Sequence, residues 1–100
     1  MNPIETDVWH QIESYRGFWD LPRIVIIRSP GGLRWLLDNP FDGELDDYSP
    51  YFSIVSVSPD APIDEIWANI ERYEHCETMR VEVRRVQFDS TMHSQLLIRP

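Results

Sequence analysis

Arg23-Ile24-Val25-Ile26-Ile27-Arg28-Ser29-Pro30-Gly31-Gly32-Leu33-Arg34-Trp35-Leu36-Leu37-Asp38 reads as strand, turn and strand. Ile24 to Ile27 are all β-branched, which favours an extended chain. A run without a polar member is buried on both faces, so it belongs in the middle of a sheet. Pro22 precedes it, where a missing N–H is tolerated. In Ser29-Pro30-Gly31-Gly32, proline presets φ and glycine supplies positive φ, which makes a turn. Leu33 to Asp38 then returns antiparallel. Symmetric closure sets Trp35 opposite Ile26, Leu37 opposite Ile24 and Arg23 opposite Asp38, matching apolar pairs and an ion pair together.

The flanking segments extend the pattern. Thr6 to Arg16 reads as a helix capped by Thr6 or Asp7, with Val8, Ile12 and Tyr15 on one face and Gly17 at its end. A strand is the rival reading. Asn39 to Pro50 is a polar, acidic connection. Tyr51 to Val57 alternates as a third strand. Pro62 to His75 predicts the main helix, because Ile63, Ile66, Trp67, Ile70 and Tyr73 share one stripe. Asp64 and Glu65 begin it and Arg72 and His75 end it, complementing the macrodipole. Met79 to Phe88 is a strand whose apolar phase flips near Arg84-Arg85, as a bulge would cause. Leu96 to Ile98 is a short edge strand or a docked tail. The expected fold is α+β: a small antiparallel β-meander of three strands, an amphipathic helix and a fourth strand, with an optional N-terminal helix. The whole chain, residues 1–100, makes a single domain.

Composition narrows the function classes. The chain has 100 residues, 42% hydrophobic and 26% charged, which excludes a disordered class. No apolar run is long enough for a membrane span, and Met1 to Asp7 does not read as a signal peptide. The net charge of −8 argues against nucleic acid. All nine basic residues are Arg, as codon bias in a GC-rich genome would give, and Arg pairs carboxylates bidentately. The lone Cys76 admits no intrachain disulfide. It reads as an inert thiol beside His75, flanked by Glu74 and Glu77. A cytoplasmic protein without cofactor or metal is expected.

Catalytic signatures such as GxGxxG, HExxH, GxSxG and CxxC are missing from the sequence. His10, His75 and His93 stand in separate segments. Arg80, Arg84 and Arg85 concentrate late in the chain, poised to pair with Glu71, Glu74 or Glu82 or to form a basic stripe. The conspicuous feature is Asp38-Asn39-Pro40-Phe41-Asp42-Gly43-Glu44-Leu45-Asp46-Asp47-Tyr48, with five carboxylates and no base. These residues hold −5 of the total charge. The loop reads as a solvated connection, a protein-binding surface, a calcium loop or a carboxylate pair for acid–base work. The calcium pattern fails on spacing, because Gly43 comes too early and no closing Glu follows. Phe41, Leu45 and Tyr48 among the acids suit an interface anchor rimmed by steering charge. The candidate partner-binding residues are therefore Phe41, Asp42, Glu44, Asp46, Asp47 and Tyr48, with a basic protein as partner. No catalytic residue is assigned.

Phe18-Trp19-Asp20-Leu21-Pro22-Arg23-Ile24-Val25, followed by a hairpin and an Asp-rich connection, resembles small bacterial domains, some of them immunity proteins encoded beside toxins. The similarity covers about residues 15–58. It implies an α+β bacterial domain, brings toxin neutralisation into view and transfers no catalytic residue. With the acidic loop, the expected function is a non-enzymatic inhibitor of a basic partner. Two other classes stay open. One is a small enzyme or ligand-binding domain with a carboxylate/histidine site. The other is a homo-oligomeric assembly subunit, suggested by four Trp, four Tyr and four Phe.

Overall fold

The computed structural model describes residues 4–17, 23–74, 79–89 and 94–100. Among the described residues nine strands occur in chain order: β1 (Trp9–Arg16), β2 (Ile24–Arg28), β3 (Arg34–Asp38), β4 (Phe41–Asp42), β5 (Asp47–Tyr48), β6 (Tyr51–Val57), β7 (Met79–Glu82), β8 (Val86–Phe88) and β9 (Gln95–Ile98). Two short helices, α1 (Ile63–Ala68) and α2 (Ile70–Glu74), lie between β6 and β7. Seven strands form one antiparallel sheet in the order β7-β6-β3-β2-β1-β9-β8, curled into a half-barrel, and β4 and β5 form a separate ribbon.

This corrects the expected three-strand meander with a helix, a fourth strand and an optional N-terminal helix. The segment read as a helix is β1, paired with β2 on one side and β9 on the other. The reason lies in β2. Val25, Ile26 and Ile27 are fully buried, so β2 needs a strand on each flank as well as cover on each face. A solitary helix over Thr6 to Arg16 would be marginal and would leave that edge bare. Leu96 to Ile98 belongs to an internal strand, since β9 runs between β1 and β8.

The hairpin register also differs from expectation by one residue. Ile27 pairs with Trp35, Ile26 with Leu36, Val25 with Leu37 and Ile24 with Asp38. The turn takes an odd number of residues. Leu33 C=O accepts from Ser29 N–H at 2.7 Å, and Ser29 C=O accepts from Gly32 N–H at 2.9 Å. Gly32 sits at φ 96, where a side chain would be strained. A one-residue slip exchanges the two faces of a strand, so this turn decides which residues share a core.

Two apolar layers result. Val25, Ile27, Trp35, Leu37, Phe52, Ile54, Val81, Val86, Leu96 and Ile98 fill the concave side, joined by Ile4. Ile24, Ile26, Leu36, Val55 and Val57 face the helices on the convex side and pack on Ile66. The expected stripe of Ile63, Ile66, Trp67, Ile70 and Tyr73 does cover the sheet. It is not one continuous helix. Asn69 interrupts it at φ −115, and its Nδ2–H donates to the Glu65 carbonyl at 2.9 Å. A side chain that competes for helical carbonyls favours such a break. His75, the expected end, lies outside the described residues.

Charged groups pin the layers. Between Ile12 and Ser14 the β1–β2 register shifts, so Glu13 occupies a bulge. Its carboxylate accepts from Arg34 Nε at 2.8 Å and Arg28 Nε at 3.1 Å. Arg28 and Arg34 face each other across β2 and β3, and Glu13 offsets their repulsion. Arg34, 6% exposed, also donates to the carbonyls of Ser58 and Ala61, and Arg28 donates to that of Pro59. The two arginines thus hold the loop that launches α1. On the same side, Trp67 Nε1–H donates to Ser14 Oγ at 2.8 Å, and Arg16 stacks over the Trp67 ring.

The phase flip near Arg84-Arg85 marks a 3-10 turn, Val83–Arg85, rather than a bulge. It carries the chain directly from β7 to β8, which are the two outer strands of the sheet. Joining both edges through so short a link is what lets the sheet curl around its concave core. The Cα radius of gyration is 12.7 Å, near the ~13 Å of a folded 100-residue domain. Among the described residues no helix is long and apolar enough to cross a membrane.

Candidate functional site

The acidic connection folds as a hairpin with a built base. Asn39 is 6% exposed and its Nδ2–H group donates to the carbonyls of Ser49 at 2.6 Å and Tyr51 at 3.0 Å. Its own N–H donates to Arg23 C=O at 2.7 Å, and Ser49 N–H donates to Pro40 C=O at 2.7 Å. One carboxamide therefore ties both stems to the end of β6. Pro40 and Pro50 bracket the segment, where neither ring breaks a ladder. Beyond the base, Phe41 pairs with Tyr48 and Asp42 with Asp47.

Gly43 to Asp46 make the turn, with Asp46 in the left-handed region at φ 51. Asp tolerates that conformation better than most residues. All residues from Gly43 to Asp47 are exposed, and Leu45 at the tip is 58% exposed, more than Trp9, Tyr15, Leu33 or Tyr51. The structure thus gathers Phe41, Asp42, Glu44, Asp46, Asp47 and Tyr48 on one ribbon. Leu45 sits among its acids as an uncovered apolar group. The fifth carboxylate is elsewhere. Asp38 belongs to β3, is 6% exposed and lies opposite Ile24 and Ser53. The acids seen exposed are Glu44, Asp46 and Asp47.

The histidines tell a different story. His10 is fully buried. Its Nε2 lies 2.8 Å from the Glu5 carbonyl and its Nδ1 lies 2.9 Å from Ser29 Oγ. Trp35 Nε1–H donates to the same Ser29 oxygen at 3.1 Å. A carbonyl only accepts, so Nε2 carries hydrogen. Ser29 then donates to Nδ1 and accepts from Trp35, and every partner is satisfied. His10 is a staple between the N-terminal segment and the β2–β3 turn, with both nitrogens engaged and no solvent access. Nothing in the sequence around His10 signals this, because Glu5, Ser29 and Trp35 meet it only through the sheet. His75, Cys76 and His93 lie outside the described residues. Among the described residues no group of three or more His, Cys, Asp or Glu is placed to hold a metal ion.

No protein-family model, curated protein or solved structure matches this chain. Phe18 to Pro22, part of the Phe18 to Val25 motif, lie outside the described residues.

Arg84 Nε–H donates to Glu82 Oε2 at 2.8 Å, one of the expected ion pairs. Arg85 turns instead toward Arg99, a residue whose part was not evident from sequence because it lies beyond β9, in another segment of the chain.

Proposed function

We propose that this protein is a non-enzymatic binding domain of the cytoplasm that presents its acidic hairpin to a basic protein partner, in the manner of an immunity-type inhibitor. The observation that carries this reading is the exposed Leu45 held among Glu44, Asp46 and Asp47 on a base clamped by Asn39. A connection that only solvates has no use for a large apolar tip. An interface anchor does, because burying it on a partner supplies affinity while the surrounding carboxylates steer a cationic surface. The clamped base lowers the ordering cost of binding.

The test compares the native chain with a charge-reversed variant, Asp42, Glu44, Asp46 and Asp47 each to Lys, and with Leu45→Ala. Partners recovered from the source cells are then titrated calorimetrically against all three. Binding weakened at least about 10-fold by Leu45→Ala, and abolished by charge reversal, supports the reading. Partners that bind all three proteins equally would place the interface elsewhere.

A further inference from the structure

We infer that Arg84, Arg85 and Arg99 form a second binding site, one that takes an oxyanion, a phosphate or carboxylate group, in the depression beside the 3-10 turn. An open concavity of about 500 Å³ is lined there by Glu82, Arg84, Arg85, Arg99 and Pro100. Three guanidinium groups line it together with the Glu82 side chain, on a chain whose net charge is −8.

The arginines are oriented by their neighbours. Arg99 N–H donates to Arg85 C=O at 2.7 Å, and Arg85 Nε–H returns a bond to Arg99 C=O at 2.9 Å. Arg99 Nη2–H donates to Gln87 Oε1 at 3.2 Å, and Arg84 Nε–H donates to Glu82. A guanidinium has five N–H donors. Arg84 and Arg85 are held through Nε, and among the described residues their paired Nη edges take no partner, so a ligand can use them. That fork matches two oxygens of a phosphate or carboxylate. A bound anion would also relieve the repulsion among three neighbouring cations. The molecule's overall charge repels anions at long range, so recognition depends on these local contacts and not on steering.

The test is a nuclear magnetic resonance titration of the labelled full chain with sodium phosphate, and separately with sodium acetate, at constant ionic strength set with sodium chloride. The expected result is saturable shifts in the Arg84, Arg85 and Arg99 amides, complete below about 10 mM of the tighter anion. Affinity should fall at least about 10-fold in Arg85→Gln. Arg84→Gln is the second variant, since the Arg84 side chain is 82% exposed and its Nε pairs with Glu82. It should fold normally and also bind more weakly. Whichever anion binds more tightly identifies the ligand chemistry. Shifts that stay linear in concentration, or saturable shifts unchanged in both variants, would overturn the assignment.

Discussion

Ser29 does more than a small turn residue is expected to do. Its hydroxyl is the hinge of the His10–Ser29–Trp35 network, 3% exposed, and it receives one hydrogen bond while giving another. Ser29→Ala removes only one oxygen but leaves Trp35 Nε1 and His10 Nδ1 buried without a partner. The expected loss is about 1–3 kcal/mol by denaturant unfolding, more than an exposed serine would cost. The same network requires hydrogen on His10 Nε2, which long-range nitrogen–proton correlation spectra will show as the Nε2–H tautomer. Asn39 holds the acidic ribbon by comparable means. Asn39→Ala should lower stability by about 1–2 kcal/mol. It should also speed amide exchange in Phe41 to Tyr48 relative to β3 and β6, because the stems lose their clamp while the sheet does not.

Among the elements, β1 depends on one extra residue. The bulge between Ile12 and Ser14 turns Glu13 toward Arg28 and Arg34, and those arginines hold the loop before α1. Glu13→Ala leaves the mostly buried Arg34 without its carboxylate. Full burial of an unpaired charge would cost several kcal/mol. The Glu13 side chain is 22% exposed and Arg34 keeps its carbonyl partners, so a loss of about 1–2 kcal/mol is expected, measured by thermal and denaturant unfolding. Glu13→Gln should recover part of it through the remaining hydrogen bonds. At α1, Ile66 is 1% exposed and anchors the convex layer. Ile66→Ala should cost about 2–5 kcal/mol, and m-values will show whether the helices separate from the sheet.

At the scale of the whole molecule, fold and acidic surface are separable. Gly43 to Asp47 are exposed and supply nothing to either apolar layer. Neutralising Glu44, Asp46 and Asp47 to Gln and Asn should change unfolding free energy by no more than about 1 kcal/mol, since surface substitutions act weakly. The same variant should lose the salt dependence of partner association. A large loss of stability would instead tie the hairpin to the fold.

Several parts of this protein were legible from local sequence. The β2–β3 hairpin, the bounds of β6, the helical stripe from Ile63 to Tyr73 and the discontinuity at Arg84-Arg85 all follow from β-branching, periodicity and turn residues. Those signals act over a few positions and need no partner. The acidic ribbon was legible for the same reason. Its loss of Asp38 to β3 was not, because burial of Asp38 depends on the strands beside it. Thr6 to Arg16 fits a helix by spacing and becomes β1 because β2 needs a neighbour at its other edge. The register followed the odd-length turn, not the tempting Arg23–Asp38 pairing. The meetings of His10 with Ser29, of Glu13 with Arg34 and of Arg85 with Arg99 are long-range. The sequence by itself determined the β2–β3 hairpin, the extent of β6 and the helical stripe, but not that Thr6 to Arg16 extends. Tertiary structure decided which segments touch, because burial and backbone pairing are satisfied only by the sheet as a whole.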